Sequence, residues 1–101
     1  MGLTISFTPE AEADLEAIVR HIAKDDPIRA ESFGYELVDA ALSLEMLPRR
    51  GKVTPEFSSE EIREIQLEPY RIIYRILPDE QGIDILRLWH GARGFPKLKN
   101  A

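Results

Sequence analysis

The chain has 101 residues, of which 44% are hydrophobic and 31% charged, and its formal net charge is -5. This size and composition predict one globular domain over residues 1–101 and exclude a disordered chain. Because the sequence contains no cysteine, disulfides and thiolate metal sites are excluded. The acidic balance also argues against a domain built mainly to grip a nucleic-acid backbone.

The N-terminus and the hydropathy pattern predict a cytoplasmic protein. The first residues read Met-Gly-Leu-Thr-Ile-Ser, without the basic segment and apolar run of a signal peptide. No stretch approaches the roughly 20 apolar residues of a membrane span. We therefore expect no membrane partner.

Charge is distributed unevenly along the chain. Residues 1–50 contain ten acidic and five basic side chains, whereas the segment from residue 85 onwards contains no acidic side chain. The basic residues of that segment are Arg87, Arg93, Lys97 and Lys99. It is either a solvated tail or an anion-binding surface.

The first part of the chain predicts a strand followed by a helix. Leu3, Ile5 and Phe7 alternate with polar residues, as in a short strand with one buried face. Thr8 precedes a proline and a glutamate, which is typical of an N-cap and first helical turn. Apolar residues then recur at intervals of four and three, so a helix is predicted over residues 9–24.

A second helix is predicted over residues 27–46. Asp26 before a proline repeats the start signal, and apolar residues continue with helical spacing until Pro48. Since only a very short turn separates the two helices, we expect an antiparallel hairpin with acidic outer faces. Residues 48–61 lose all periodicity and predict a loop with little regular structure.

The remaining residues predict three strands in an antiparallel meander. Residues 62–67 and 70–77 are rich in β-branched and aromatic side chains. The first strand has a polar face with Glu64 and Gln66, whereas the second is apolar on both faces and is expected inside the sheet. A last strand over residues 83–90 alternates regularly.

These elements predict an α+β fold. An N-terminal strand leads into the antiparallel two-helix hairpin, which covers one face of an antiparallel sheet, and the three-stranded meander follows. One sheet face and one sheet edge remain open. Such surfaces can accept a partner peptide that wraps around the domain or adds a strand.

Two histidines are the first candidates for chemistry. The chain has no Gly-rich phosphate loop, no nucleophile elbow and no metal-ligand spacing, so no cofactor or metal is expected. His21 is expected to form a local ion pair with Asp25, one turn later on the helix. His90 closes the last strand and is either a capping imidazole or a general acid or base.

Two arginines on the predicted interior strand are the other candidates. Arg71 and Arg75 share one face of that strand, and a buried arginine is costly unless it is paired or faces a groove. Pairing with Glu64, Glu68 or Asp84 would make at least one of them structural. An unpaired arginine would be available to bind an anion.

Several motifs in succession resemble the ParE/RelE superfamily of toxins from type II toxin–antitoxin modules. They are Pro-Glu-Ala-Glu-Ala-Asp-Leu-Glu-Ala-Ile from Pro9, Ala30-x-x-Phe33, Leu47-Pro48 with Gly51, Ile62-Arg63-Glu64, the run from Pro69 to Ile76, and His90-Gly91-Ala92-Arg93. Together they cover nearly the whole chain. The resemblance implies a small bacterial toxin of RelE-like fold, neutralised by a cognate antitoxin whose C-terminal segment wraps it.

The superfamily offers two activities. RelE-like members cleave messenger RNA on the ribosome by metal-independent acid/base chemistry, with arginines that stabilise the phosphate; ParE-like members inhibit DNA gyrase. The ending from His90 to Leu98 resembles the ParE branch, and in place of a tyrosine found after the histidine in some nucleases this chain has Gly91. We therefore expect a gyrase inhibitor without strong direct DNA binding. The alternatives are a RelE-like endoribonuclease, with ribosome and mRNA as partners, and a non-toxic antitoxin-binding module.

The resemblance also implies functional residues. For a nuclease, Arg71 and His90 would be catalytic. For the gyrase inhibitor, the target-binding residues would be Arg87, Arg93, Lys97 and Lys99. In either case the expected antitoxin-binding residues are Leu3, Ile5, Tyr70, Tyr74 and Trp89.

Overall fold

A computed structural model of the chain describes residues 3–78, 81–96 and 98. Its elements, in chain order, are strand β1 (Thr4–Phe7), helix α1 (Pro9–Ala23), helix α2 (Pro27–Leu42) with a 3-10 turn at Ser43–Glu45, and strands β2 (Lys52–Val53), β3 (Ile62–Leu67), β4 (Tyr70–Ile76) and β5 (Gly82–His90). The predicted α+β class is confirmed. The described residues contain no helix long and apolar enough to cross a membrane.

Both helices begin where the sequence predicts. Thr8 accepts a hydrogen bond from the Ala11 amide through its hydroxyl at 3.1 Å, and Asp26 accepts one from the Arg29 amide at 3.0 Å. Each N-cap is followed by proline, whose missing N–H has no partner to lose at that position. The end of α2 differs from the prediction, since the α-helix stops at Leu42 and tightens into the 3-10 turn.

The five strands form one sheet in the order β1-β5-β4-β3-β2. The predicted meander is confirmed by the antiparallel pairs β3–β4 and β4–β5, and β4 lies inside the sheet as expected. The expectation of a wholly antiparallel sheet is wrong, because β1 pairs with β5 in parallel. A parallel pair needs a long connection, and here the helical hairpin and most of the meander lie between its two strands.

The predicted loop over residues 48–61 contains one short strand. In β2, Lys52 and Val53 pair with Glu64 and Arg63 of β3. Two residues are too few to give a periodic signal, so the pattern could not reveal this strand. The short strand β2 therefore pairs with β3 only at Arg63 and Glu64.

The main core lies between the helices and one sheet face. Its fully buried side chains include Leu37, Leu44, Ile72, Ile76, Ile83 and Ile85. The opposite face carries a smaller apolar cluster of Ile62, Ile73, Leu86 and Trp89, against which Phe57 and Leu98 pack. A domain of this size gains most of its stability from burying such surfaces.

A register shift explains how β5 serves both clusters. The pairing of β4 with β5 slips between Ile73 and Tyr74, which places an extra residue in β5. As a result Leu88 joins the main core while Leu86 and Trp89 join the opposite cluster. The regular alternation predicted for residues 83–90 is therefore wrong beyond Ile85.

Tyr74 fastens the loop before β2 to the central strand. Its side chain is fully buried, its hydroxyl donates to the Pro48 carbonyl at 2.7 Å, and it accepts from the Gly51 amide at 3.0 Å. A Cβ at residue 51 would lie 2.6 Å from the backbone oxygen of Glu64, so only glycine fits this approach. Burial raises the pKa of the Tyr74 hydroxyl. This tyrosine, predicted to bind an antitoxin, offers no side-chain surface to a partner.

Candidate functional site

Arg71 on β4 is held by two carboxylates. Its guanidinium donates to Glu56 through Nη1 at 2.9 Å and Nη2 at 2.6 Å, and to Glu64 through Nε at 3.1 Å and Nη2 at 2.6 Å. The exposed fractions of the side chains are 12% for Arg71, 17% for Glu56 and 2% for Glu64. We call these three residues the Arg71 clamp.

Neighbouring polar side chains complete the clamp. The Gln66 amide donates to Glu64 at 2.5 Å, and the Lys52 ammonium lies 3.9 Å from the same carboxylate. The predicted polar face of β3 is therefore wrong at Glu64, which is buried because Arg71 neutralises it. Among the three partners expected for Arg71 and Arg75, the pairing of Glu64 with Arg71 is confirmed. Glu56 was missed because it lies in the loop before β3.

The charges of the clamp stabilise one another. The hydrogen bond from Arg71 lowers the pKa of the Glu56 carboxyl. The hydrogen bond to Glu56, followed by the smaller effect of the hydrogen bond to Glu64, raises the pKa of the Arg71 guanidinium. A bidentate guanidinium fork is the group that would bind a phosphate, and here a carboxylate already occupies it.

The two residues predicted to be catalytic in a nuclease do not meet. Arg71 is paired in register with Trp89 on the sheet face opposite the helices. His90 instead contacts Tyr70, which lies in the helix-covered core, with ring centroids 5.2 Å apart. The sheet therefore separates Arg71 from His90. The Nδ1 atom of His90 accepts a hydrogen bond from the Ala92 amide at 3.0 Å, as a capping imidazole does.

Arg87 connects the last strand to the first helix. Its Nε and Nη2 donate to the Asp14 carboxylate at 2.7 and 2.8 Å, and the same carboxylate accepts from the Leu88 amide at 3.0 Å. This bond to Asp14 raises the pKa of the Arg87 guanidinium. Asp14 therefore provides a hydrogen-bond acceptor to the backbone of β5 beyond the point where β1 ends. Arg87 therefore stabilises the contact between β5 and α1, and 17% of its side chain is exposed.

Arg93 is the exposed arginine of the predicted target-binding set. Its guanidinium carbon lies 3.8 Å from the centre of the Trp89 ring, as in a cation–π contact. The Trp89 indole donates to the Gly94 carbonyl at 3.0 Å, which holds the segment after β5 against the sheet. Lys97 and Lys99, the other members of the predicted set, lie outside the described residues.

The predicted antitoxin-binding residues do not form one surface. Leu3 and Ile5 are partly buried at the β1 edge and pack against the main core. Tyr70 is 9% exposed and contacts the Phe33 ring. Trp89 is 4% exposed and lies on the other sheet face.

An apolar stripe on α2 was missed by the sequence analysis. Tyr35, Leu42 and Met46 are exposed by 66%, 47% and 77%, and half-buried Val38 lies between them. Their spacing of three, four and four in the sequence is helical, so the sequence contained the signal, although the α-helix itself ends at Leu42 and Met46 follows the 3-10 turn. It was overlooked because a second stripe, the one that enters the core, already accounted for the helix.

The comparison with protein families agrees with this architecture. Residues 5–95 match the family model described as ParE toxin of type II toxin-antitoxin system, parDE. The chain belongs to the ParE toxin family. This confirms the superfamily that the sequence motifs predicted, and its ParE branch in particular.

Solved structures resemble this ParE-family chain over most of its length. A chain of the chromosomal ParDE toxin-antitoxin system from P. aeruginosa matches with a TM-score of 0.73 and 25% identity, covering 87% of this chain and 95% of that one. The RelBE2 toxin-antitoxin complex from Mycobacterium tuberculosis matches at 0.61 and 26%, covering 89% and 99%.

A mutant of E. coli toxin RelE in complex with an antitoxin RelBc peptide matches at 0.59 and 16%, covering 92% and 87%, and this shows the common fold alone. No match is found among curated proteins.

Within the ParE fold, the described residues offer no metal centre, since no group of three histidine or acidic side chains is placed to hold an ion. The ion pair predicted between His21 and Asp25 is also not formed. Instead His21 lines a cleft beside α1 together with His90 and Arg93.

The Arg71 clamp makes stability dependent on pH in a defined direction. Because the pKa of Glu56 is lowered in the folded chain, its stabilising effect is complete above about pH 5 and is lost as the pH falls below the ordinary glutamate value of about 4.3. Near neutral pH, we expect Glu56→Gln to lower the free energy of unfolding by about 1–3 kcal/mol. Urea unfolding at several pH values measures both effects.

Glu60→Gln is the matched control for this prediction. Glu60 lies in the same loop, pairs with Arg63 and is 75% exposed, so its replacement leaves stability nearly unchanged. If Glu56→Gln and the wild-type chain differ by the same amount at all pH values, the carboxylate of Glu56 is not the group that stabilises the loop.

Proposed function

We propose that this ParE-family chain inhibits DNA gyrase and is neutralised by a cognate antitoxin. The proposal rests on the family match over residues 5–95 and on the ParE-like ending of the sequence. The observation that favours gyrase inhibition over RNA cleavage is the Arg71 clamp. An arginine enclosed by two carboxylates has no free edge for a scissile phosphate.

A RelE-like ribonuclease is the less favoured alternative. It would need Arg71 and His90 to act on one phosphate, and they lie on opposite faces of the sheet. General acid/base catalysis requires the participating groups to reach the reacting atoms together, within hydrogen-bonding distance. Cleavage through this pair would therefore need both the opening of the clamp and a rearrangement of the sheet end.

The C-terminal basic end is the surface that we assign to target binding. Arg93 is exposed and fixed by Trp89, so it is prepared to bind an acidic group with little loss of side-chain freedom. Lys97 and Lys99 follow it in the sequence. Arg87 acts behind them as a positioning residue, since its bond to Asp14 holds the end of β5 against α1.

The antitoxin surface that the described residues support best is the outer face of the helical hairpin. The P. aeruginosa and M. tuberculosis matches belong to toxin–antitoxin systems. Tyr35 and Leu42 on α2 and Met46 just beyond its 3-10 turn are exposed apolar side chains, with half-buried Val38 among them, and exposed apolar side chains grouped in this way mark a protein interface. The free edge of β1 lies on the same domain and can accept an added strand.

Gyrase inhibition is tested by plasmid supercoiling with purified gyrase. We expect the chain to inhibit supercoiling and to trap cleaved DNA, and we expect Arg93→Gln to raise the concentration for half inhibition by about tenfold, as for loss of one charged contact. Arg29→Gln is the matched control, because Arg29 is an exposed arginine of α2 paired with Glu36.

Two results would contradict the proposal. Messenger RNA cleavage in a ribosome assay, abolished by Arg71→Ala in a folded variant, would establish the ribonuclease instead. No effect on either gyrase or mRNA at a large molar excess would leave a binding module without toxicity.

The antitoxin surface is tested by binding of the protein encoded in the adjacent small open reading frame. Leu42→Ser combined with Met46→Ser is expected to weaken binding by at least about tenfold, since both changes remove apolar surface that the partner would bury. Isothermal titration calorimetry measures the affinity, and the melting temperature should change little because both side chains are exposed. Ile28→Ser, at an 84% exposed position of the same helix, is the control. Unchanged affinity in the double variant would place the antitoxin elsewhere.

A further inference from the structure

A cleft lies where β5 extends beyond the end of β1. One wall is the face of α1 that carries residues 14, 17, 18 and 21, and the other is formed by β4, β5 and the turn that follows. The lining residues are Asp14, Ala17, Ile18, His21, Tyr70, Leu88, His90 and Arg93. Its volume is about 340 Å³, at the lower end of the roughly 300–1,000 Å³ typical of ligand sites.

Among the described residues of this lining, Asp14 is the one acidic side chain, and it is already neutralised. Asp14 accepts two hydrogen bonds from Arg87 and one from the Leu88 amide. Its charge is therefore balanced within the fold. The cleft does not repel an anion as an unpaired carboxylate would.

The other polar side chains among the described residues of the cleft can each donate a hydrogen bond. The Nδ1 atom of His90 accepts from the Ala92 amide, so the neutral ring carries its proton on Nε2 and can donate from there. His21 adds a second imidazole from the exposed side of α1. No hydrogen-bond or ion-pair partner for the His21 side chain is found within residues 3–78, 81–96 and 98.

Arg93 supplies the strongest donor. Its guanidinium carbon lies 3.8 Å from the centre of the Trp89 ring, and a guanidinium held against an aromatic ring can still donate from its N–H groups. In the described part of the chain, no acidic side chain lies within salt-bridge distance of Arg93. A planar guanidinium edge matches the two oxygens of a carboxylate.

The base of the cleft is apolar. Ile18, Leu88 and Tyr70 are exposed by 7%, 2% and 9%, and Ala17 lies beside them on the helix. Burial raises the pKa of the Tyr70 hydroxyl, so this side chain stays neutral. A ligand that contacts this base must carry an aliphatic or aromatic group next to its charge.

We propose that this cleft binds a carboxylate attached to an apolar body, as presented by an acidic residue beside an aromatic or aliphatic one in a partner polypeptide. The His90 imidazole donates to the carboxylate, the positive charge of Arg93 in the same lining attracts it, and the apolar base receives the neighbouring side chain. Binding to the isolated chain is independent of gyrase inhibition. A failure of one proposal is therefore distinguishable from a failure of the other.

The test uses N-acetyl-phenylalaninate as the probe and nuclear magnetic resonance as the measurement. We expect saturable shifts of the His90 ring and of the Ala92 and Arg93 amides. We expect the neutral N-acetyl-phenylalanine amide and acetate each to bind at least about tenfold more weakly, because one lacks the charge and the other the apolar body. Phenyl phosphate is included to separate phosphate from carboxylate recognition.

Variants locate the binding groups. Arg93→Gln should weaken probe binding by about fivefold or more, and His21→Gln, at an exposed helical position, by about threefold. His21→Gln keeps the test decisive if loss of the stack on Trp89 disturbs folding of the Arg93 variant. Arg29→Gln should bind as the wild-type chain does.

Three results would overturn the proposal. Equal binding of the neutral amide would reduce the cleft to an apolar pocket. Tighter binding of phenyl phosphate would make it a phosphate site. Shifts that persist unchanged in both the Arg93 and the His21 variants would place the probe elsewhere on the chain.

Discussion

A guanidinium enclosed by two carboxylates holds the loop before β3 against the sheet face opposite the helices. Arg71 on the interior strand binds Glu64 on the neighbouring strand and Glu56 in the preceding loop, and all three side chains are largely buried. A buried charge is tolerated only when its partners are present, so each member holds the others in place. Together with the bonds from Tyr74 to Pro48 and Gly51, this arrangement fastens the longest irregular segment to β4.

The same constraint bears on function. In this chain two carboxylates enclose the central arginine, and His90 lies on the other side of the sheet. The surfaces left for partners are therefore at its periphery: the apolar stripe of α2, the free edge of β1, and the basic end around Arg93. Each of these surfaces presents exposed side chains or the backbone of an edge strand.

Local signals in the sequence predicted local structure well. Thr8 and Asp26 cap the helices because capping depends only on a side chain and the next three amides. The interior position of β4 followed from its two apolar faces. Features that depend on distant residues were not predictable: the pairing of Glu56 with Arg71, the two-residue β2, the parallel β1 and the extra residue in β5 leave no periodic pattern. The spacing of Tyr35, Leu42 and Met46 was present in the sequence, but the stripe that enters the core already accounted for the helix.

The measurement that tests the central claim most directly is solvent exchange of the Arg71 Nε–H, observed by nuclear magnetic resonance with and without added inorganic phosphate. Arg20 is the internal reference, since it is paired only with Glu16 on the surface and is 69% exposed. We expect Arg71 to exchange at least about tenfold more slowly than Arg20 and to be unaffected by phosphate. Exchange as fast as that of Arg20, or a saturable shift of the Arg71 signal with phosphate, would contradict a structural Arg71 and favour the ribonuclease.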